Sequence, residues 1–151
     1  LFILVLPLRG VQACGARCAL RIPLSGASSA AVHIHFDRLC AGGRERAAHI
    51  LYLLKAGERS HWHRIDATEI WHYSLGDPLL LSIVPHGAAQ RSITLGGDLQ
   101  HGQVPHAVVP PGAWQAAQPL GAFTLVGCTT VPAFRFEGFE LAPAGWEPAQ
   151  G

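Results

Sequence analysis

The 151-residue chain is 49% apolar and only 14% charged, which suits a single packed core and excludes bulk disorder. Eleven Lys and Arg stand against ten Asp and Glu, a formal charge of +1, and Lys55 is the single lysine. That balance offers nothing to a nucleic acid or an anionic membrane, and neither is expected as a partner.

The chain begins "LFILVLPLRG", an apolar run closed by Arg9 that is too short to cross a bilayer. It lacks the basic lead-in of a secretory signal. The sequence has no methionine, so residue 1 is not an ordinary initiator and the sequence is expected to be incomplete at this end. Cys14, Cys18, Cys40 and Cys128 match no common zinc spacing and no disulfide framework, so a reducing cytoplasm is the expected location. Composition changes abruptly near residues 44–48, from a stretch rich in Ala, Arg, Gly, Ser and Cys to short apolar runs. Residues 1–46 therefore read as an atypical N-terminal segment, mis-translated or disordered, and 47–148 as one domain. A shifted reading frame or wrong gene boundary would explain the change, and an intact frame on re-sequencing would refute it. His33 and His35 form an H-x-H pair inside that segment and are given no weight.

From there, "HILYLLKAG" reads as a strand ending at Gly57. "SHWHRI" and "EIWHYSL" read as a hairpin around Asp66, Ala67 and Thr68, with Asp66 as the turn residue. "GDP" turns into the apolar strand "LLLSIVPHG", and "QRSITLG" pairs back. "QVPHAVVP", "AWQAAQ" and "LGAFTLVGCTTV" follow as strands, with Cys128 as a small buried residue in the last. "PAFRFEGFELA" reads as an aromatic closing segment, with Phe134, Phe136 and Phe139 as core anchors or, equally, with its mixed apolar face as a dimer surface. No stretch has the 3.6-residue period of an amphipathic helix, and the spacing of turns predicts an all-β domain of seven or eight strands.

The chemistry concentrates in residues 57–77. Alternation along a strand places His61 and His63 on one face, and Glu69, Trp71 and Tyr73 on one face of the next strand. If both faces look inward, two imidazoles and a carboxylate converge, a ligand set suited to iron, zinc or manganese. The bland alternative makes the aromatics core residues and the histidines a wet surface. His72 points away from Glu69, toward a sheet or dimer contact.

This stretch resembles the first motif of the cupin superfamily: Gly57, His61, His63, Glu69, then Gly76 after six residues. "PPGAWQ", Pro110 to Gln115, is similar to the second motif, with Gln115 in place of its histidine. From about His49 to Pro148 the chain resembles the small "cupin 5" subfamily, a domain of unknown function. The resemblance implies a cupin double-stranded β-helix, a jelly-roll barrel that usually dimerises, with a ligand pocket in its mouth. It implies a small polar ligand, sugar- or nucleotide-like, lined by His61, Trp71, Trp114 and Gln115. An epimerase- or isomerase-type enzyme would use His63 as base with Glu69 or Asp66 beside it, Tyr73 as proton donor, and Trp71 or Trp114 as a stacking surface. Two alternatives stay open. One is a metal-dependent oxygenase or isomerase with Fe, Mn, Ni or Zn on His61, His63 and Glu69, which Gln115 weakens. The other is a non-catalytic binding module. The expected partners are the small ligand and a second copy of the chain.

Overall fold

The computed structural model describes residues 18–23, 31–41 and 44–148, with side chains from residue 46 onward. The strands are β1 (Cys18–Pro23), β2 (Ala31–Ala41), β3 (Arg44–Lys55), β4 (His63–Ile65), β5 (Thr68–Gly76) and β6 (Leu79–Val84). They continue as β7 (Arg91–Leu95), β8 (His106–Val109), β9 (Trp114–Pro119), β10 (Phe123–Val131) and β11 (Phe139–Leu141). Two sheets result, ordered β1-β2-β3-β10-β5-β8 and β11-β4-β9-β6-β7, with antiparallel strand pairs. This is the expected all-β jelly roll in one domain. Nine of the strands lie from Arg44 onward, against the seven or eight expected. The atypical segment expected over residues 1–46 lies largely outside the described side chains, and its expected boundary falls inside β3. No helix among the described residues is long and apolar enough to cross a membrane.

Period-two alternation builds the core. Leu79, Leu81 and Ile83 of β6 are fully buried, while Leu80, Ser82 and Val84 between them stay partly exposed. On β10 the residues Thr124, Val126, Cys128 and Thr130 point inward, and β5 contributes Glu69 and Trp71. Leu54, Trp71, Leu95, Val109 and Val126 fill the space between the sheets together with the β6 residues.

One expected element is corrected. Residues 61–75 are not a hairpin, because β4 pairs with β9 and β11 while β5 pairs with β10 and β8. The chain crosses from one sheet to the other at Asp66 and Ala67, where the Asp66 amide donates to Gly138 O at 3.0 Å. Ala67, at 2% exposure, lets the crossing close against the core. Turn residues between two short β-rich runs look alike whether the runs pair or part. The consequence is functional: His63 meets Glu69 across the sandwich, not along a ladder.

The outer face of the smaller sheet is covered by residues 142–148. Trp146 packs edge-on to Trp62, with ring centroids 5.8 Å apart, and tilted on Trp114 at 4.9 Å. Glu147 accepts from Trp62 Nε1 and from Arg59, both at 2.8 Å. The aromatic closing segment is corrected too. Phe134, Phe136 and Phe139 stack on one another at 4.9 and 5.7 Å, but Phe136 is 45% exposed and none of them enters the core. They form a rim beside His63, whose ring lies 5.7 Å from that of Phe139.

Candidate functional site

Glu69 opens β5, Gln115 opens β9 and Thr130 lies near the end of β10, so their side chains meet at one end of the barrel. The other end is filled by Leu54, Leu79 and Leu95. Register sets these neighbours: Glu69 lies opposite Thr130 on β10, and Gln115 opposite both His63 and Ile83.

Gln115 is fully buried, and its amide bonds both ways. Its Oε1 accepts from Trp71 Nε1 at 2.8 Å, and its Nε2 donates to Glu69 Oε2. An indole nitrogen can only donate, so it fixes which end of the amide faces it. The NH₂ is therefore turned on the carboxylate. Trp71 is 1% exposed and also packs on Tyr52, at 6.3 Å between rings. Burial pushes the Glu69 carboxyl up to about 7, against the opposing hydrogen bonds of Gln115 and Trp71.

His63 Nε2 lies 4.0 Å from Glu69 Oε2, and its Nδ1 lies 2.8 Å from His61 O. A carbonyl only accepts, so Nδ1 carries the proton and the Nε2 lone pair is left for the site. Burial pushes the His63 imidazole below its usual range, outweighing the bond to the His61 carbonyl. Together these give a neutral imidazole facing a carboxyl that titrates close to neutrality.

Other expected site residues are placed elsewhere. His61 precedes β4, outside the reach of strand alternation, and its Nε2 sits 2.7 Å from Ala142 O on the outer strap. It does not share a face with His63. Trp114 is the neighbour of inward Gln115 on one strand, so it points outward, under Trp146 and with Arg64 4.7 Å above its ring. Trp71 is engaged by Gln115 and Tyr52 and presents no free face. Tyr73 donates to Gly76 O, at the far end of β5. Four residues from Glu69, it lies about 13 Å away at ~3.3 Å per residue. His72 does face away from the barrel, toward Thr129 Oγ1 at 3.5 Å.

The three-ligand set of His61, His63 and Glu69 is therefore not assembled. Among the described residues no three His, Cys, Asp or Glu side chains converge to hold a metal ion. Gln115 turns its oxygen to Trp71 and its NH₂ to Glu69, so it presents a donor and not a ligand atom beside the carboxyl. The donor set that faces the barrel does not fit a metal.

The structure adds residues that the sequence did not single out. Tyr52 enters the barrel from β3. Burial first, then Cys128, Glu58 and Glu69, holds its phenol well above the usual range. Cys128 is a small buried residue as expected, its thiol raised by burial and by Glu69. Thr130 is 5% exposed and its Oγ1 has no hydrogen-bond partner among the described residues. The alternation of "TLVGCTT" holds a signal for Thr130, since Thr124, Val126 and Cys128 share its face. Only the register to Glu69 gives it meaning.

The family model Cupin superfamily (DUF985) matches residues 26–142. A crystal structure of a protein from Shewanella oneidensis is 30% identical, with 73% of this chain and 74% of that chain covered and a TM-score of 0.64. A hypothetical protein from Leishmania major is 23% identical over 71% of this chain and 76% of that one, with a TM-score of 0.60. A dTDP sugar isomerase from Desulfovibrio desulfuricans is 16% identical over 85% and 83%, at a TM-score of 0.58, a likeness of fold alone. A search of curated proteins found no match.

Proposed function

The chain belongs to the DUF985 family of the cupin superfamily, and from its barrel site we propose that it binds a small polar, sugar- or nucleotide-like ligand and moves a proton on it. The observation that carries this reading is the facing pair. His63 offers an Nε2 lone pair 4.0 Å from Glu69, whose carboxyl is pushed up to about 7. A general acid works best when it titrates near the working pH, which Glu69 does, and burial holds His63 neutral and ready to accept a proton.

The reaction class is isomerisation or epimerisation next to a carbonyl. His63 Nε2 takes the proton from the carbon beside the carbonyl, and protonated Glu69 gives its proton to the carbonyl oxygen. In isomerisation His63 gives the proton back to the neighbouring carbon of the enediol; in epimerisation it loses the proton to solvent while a water protonates the opposite face; in both an O–H proton returns to Glu69, so nothing is consumed. Gln115, held by Trp71, aims an N–H at Glu69 and favours its ionised form after transfer. The partly exposed Phe134, Phe136 and Phe139 rim, with Phe139 against His63, takes the stacking role expected of Trp71 and Trp114.

The test is exchange of carbon-bound hydrogen for deuterium, followed by NMR, over a panel of hexoses and hexuloses, free and dTDP-linked. The fold likeness to a dTDP sugar isomerase puts the nucleotide-linked members first. Wild type is expected to catalyse exchange on at least one, and H63N and E69Q to lose at least about 100-fold of it. Binding without exchange anywhere on the panel refutes the proton transfer and leaves a binding module.

A further inference from the structure

Thr130 is the buried polar group that the acid–base pair leaves unexplained. Its side chain is on the barrel-facing side of β10, in the same row as Thr124, Val126 and Cys128. Thr124, in that row, donates its hydroxyl to Asp77 O at 2.7 Å, whereas Thr130 Oγ1 is buried with no partner among the described residues. A buried hydroxyl without a partner costs about 1–3 kcal/mol, and a valine of the same shape avoids that cost. A buried polar group is ordinarily paired, so an unmet one calls for a partner, which a ligand can supply. Thr130 is the cross-strand neighbour of Glu69, and such pairs have Cβ atoms about 5 Å apart. One oxygen atom held between them reaches both.

We propose that Thr130 is a specificity-determining ligand contact, giving its hydroxyl to a ligand hydroxyl that Glu69 also holds. This deepens the reading of the site above and rests on it for the ligand class. A hydroxyl both accepts and donates, so it satisfies Thr130 Oγ1 and the carboxyl together. An ether at that place can accept from Thr130 but has nothing to give the carboxyl, and a deoxy carbon satisfies neither. The site therefore selects polyols with a free hydroxyl next to the reacting carbon over their O-methyl counterparts, which leave the carboxyl unmet, and over their deoxy counterparts, which leave both buried groups unmet.

The experiment uses glycerol, the smallest polyol probe, titrated into isotope-labelled wild type, T130V and T130S, with thermal unfolding of each protein in its absence. T130V is expected to melt at or above wild type and to bind glycerol about tenfold more weakly, the loss of one neutral hydrogen bond. T130S keeps the hydroxyl and is expected to retain glycerol binding while melting lower, because a methyl group is lost from the core. T130V melting below wild type overturns the proposal, since the hydroxyl would then serve the fold through an internal water. Equal glycerol affinity in wild type and T130V, or no binding by wild type, overturns it as well. Failure of the proton-transfer reading is seen separately, in deuterium exchange by H63N and E69Q, and leaves the T130V result standing.

Discussion

Replacing Glu69 by glutamine keeps the shape and the acceptor that Gln115 needs but removes the titration. Burial raises the Glu69 carboxyl from the usual 4.5 to about 7. At about 1.4 kcal/mol per pH unit, that corresponds to roughly 3 kcal/mol of folding free energy. The folded state holds this proton more tightly than the unfolded chain does. The contribution of Glu69 is thus fully present below about pH 4.5 and is lost as pH rises through about 7. His63 works in the opposite sense. Its folded value is depressed from 6.5, so its contribution is present above that pH and is lost as pH falls through the folded value. The two slopes oppose each other below pH 6.5 and flatten the wild-type profile, which on its own hides both. The stability of E69Q minus that of wild type isolates the carboxyl, and should widen by about 3 kcal/mol between pH 4.5 and pH above 7. Urea unfolding followed by tryptophan fluorescence, at constant ionic strength over that range, reads it directly. A difference that stays constant with pH, or that narrows, refutes the claim that burial sets the carboxyl.

Q115L leaves the Trp71 N–H buried with no acceptor and withdraws the donor from Glu69, so it should cost about 3 kcal/mol in urea unfolding. The same change should move the Glu69 titration further up, read by carboxyl infrared absorption, because the bond that favours the ionised form is gone. On the outer strap, W146A should cost about 2 kcal/mol by removing the ring between Trp62 and Trp114. E147A should cost about 1 kcal/mol, mostly from the acceptor lost by the Trp62 indole N–H, since the Arg59 pair is exposed. Thermal unfolding of the two variants decides, and the reverse order would show that charge, not ring packing, holds the strap.

The fold was legible because its signals are local and repeated. The alternation of Leu79, Leu81 and Ile83, the Asp77 turn and the two barrel motifs all survive in the structure. Asp77 holds its turn through Ala122 N at 2.6 Å, a contact across 45 residues that the dipeptide alone does not reveal. The site was only half legible. Glu69 and His63 do face each other, but by a crossing between sheets that no local pattern distinguishes from a hairpin. Strand alternation does not reach His61, which lies outside β4. Trp114 and Gln115, as strand neighbours, cannot both face inward. Tyr73 does lie on the Glu69 row, yet a shared face says nothing of distance along the strand. Thr130 and Tyr52 acquire their roles only from register, which is a property of three strands at once.

The indole of Trp71 also constrains which residues position 115 can accept. Whatever stands there must show an acceptor to the indole and a donor to the carboxylate, a requirement that Gln meets and that few other side chains can. A histidine at 115 could meet it only as the tautomer whose bare nitrogen faces Trp71 and whose N–H faces Glu69. Its lone pair would then be occupied before any ion arrived. Acquiring a metal at this barrel mouth is therefore at least a two-step path in sequence space, in which Trp71 changes as well as Gln115. Variant libraries that randomise position 115 alone would sample the first step and miss the second.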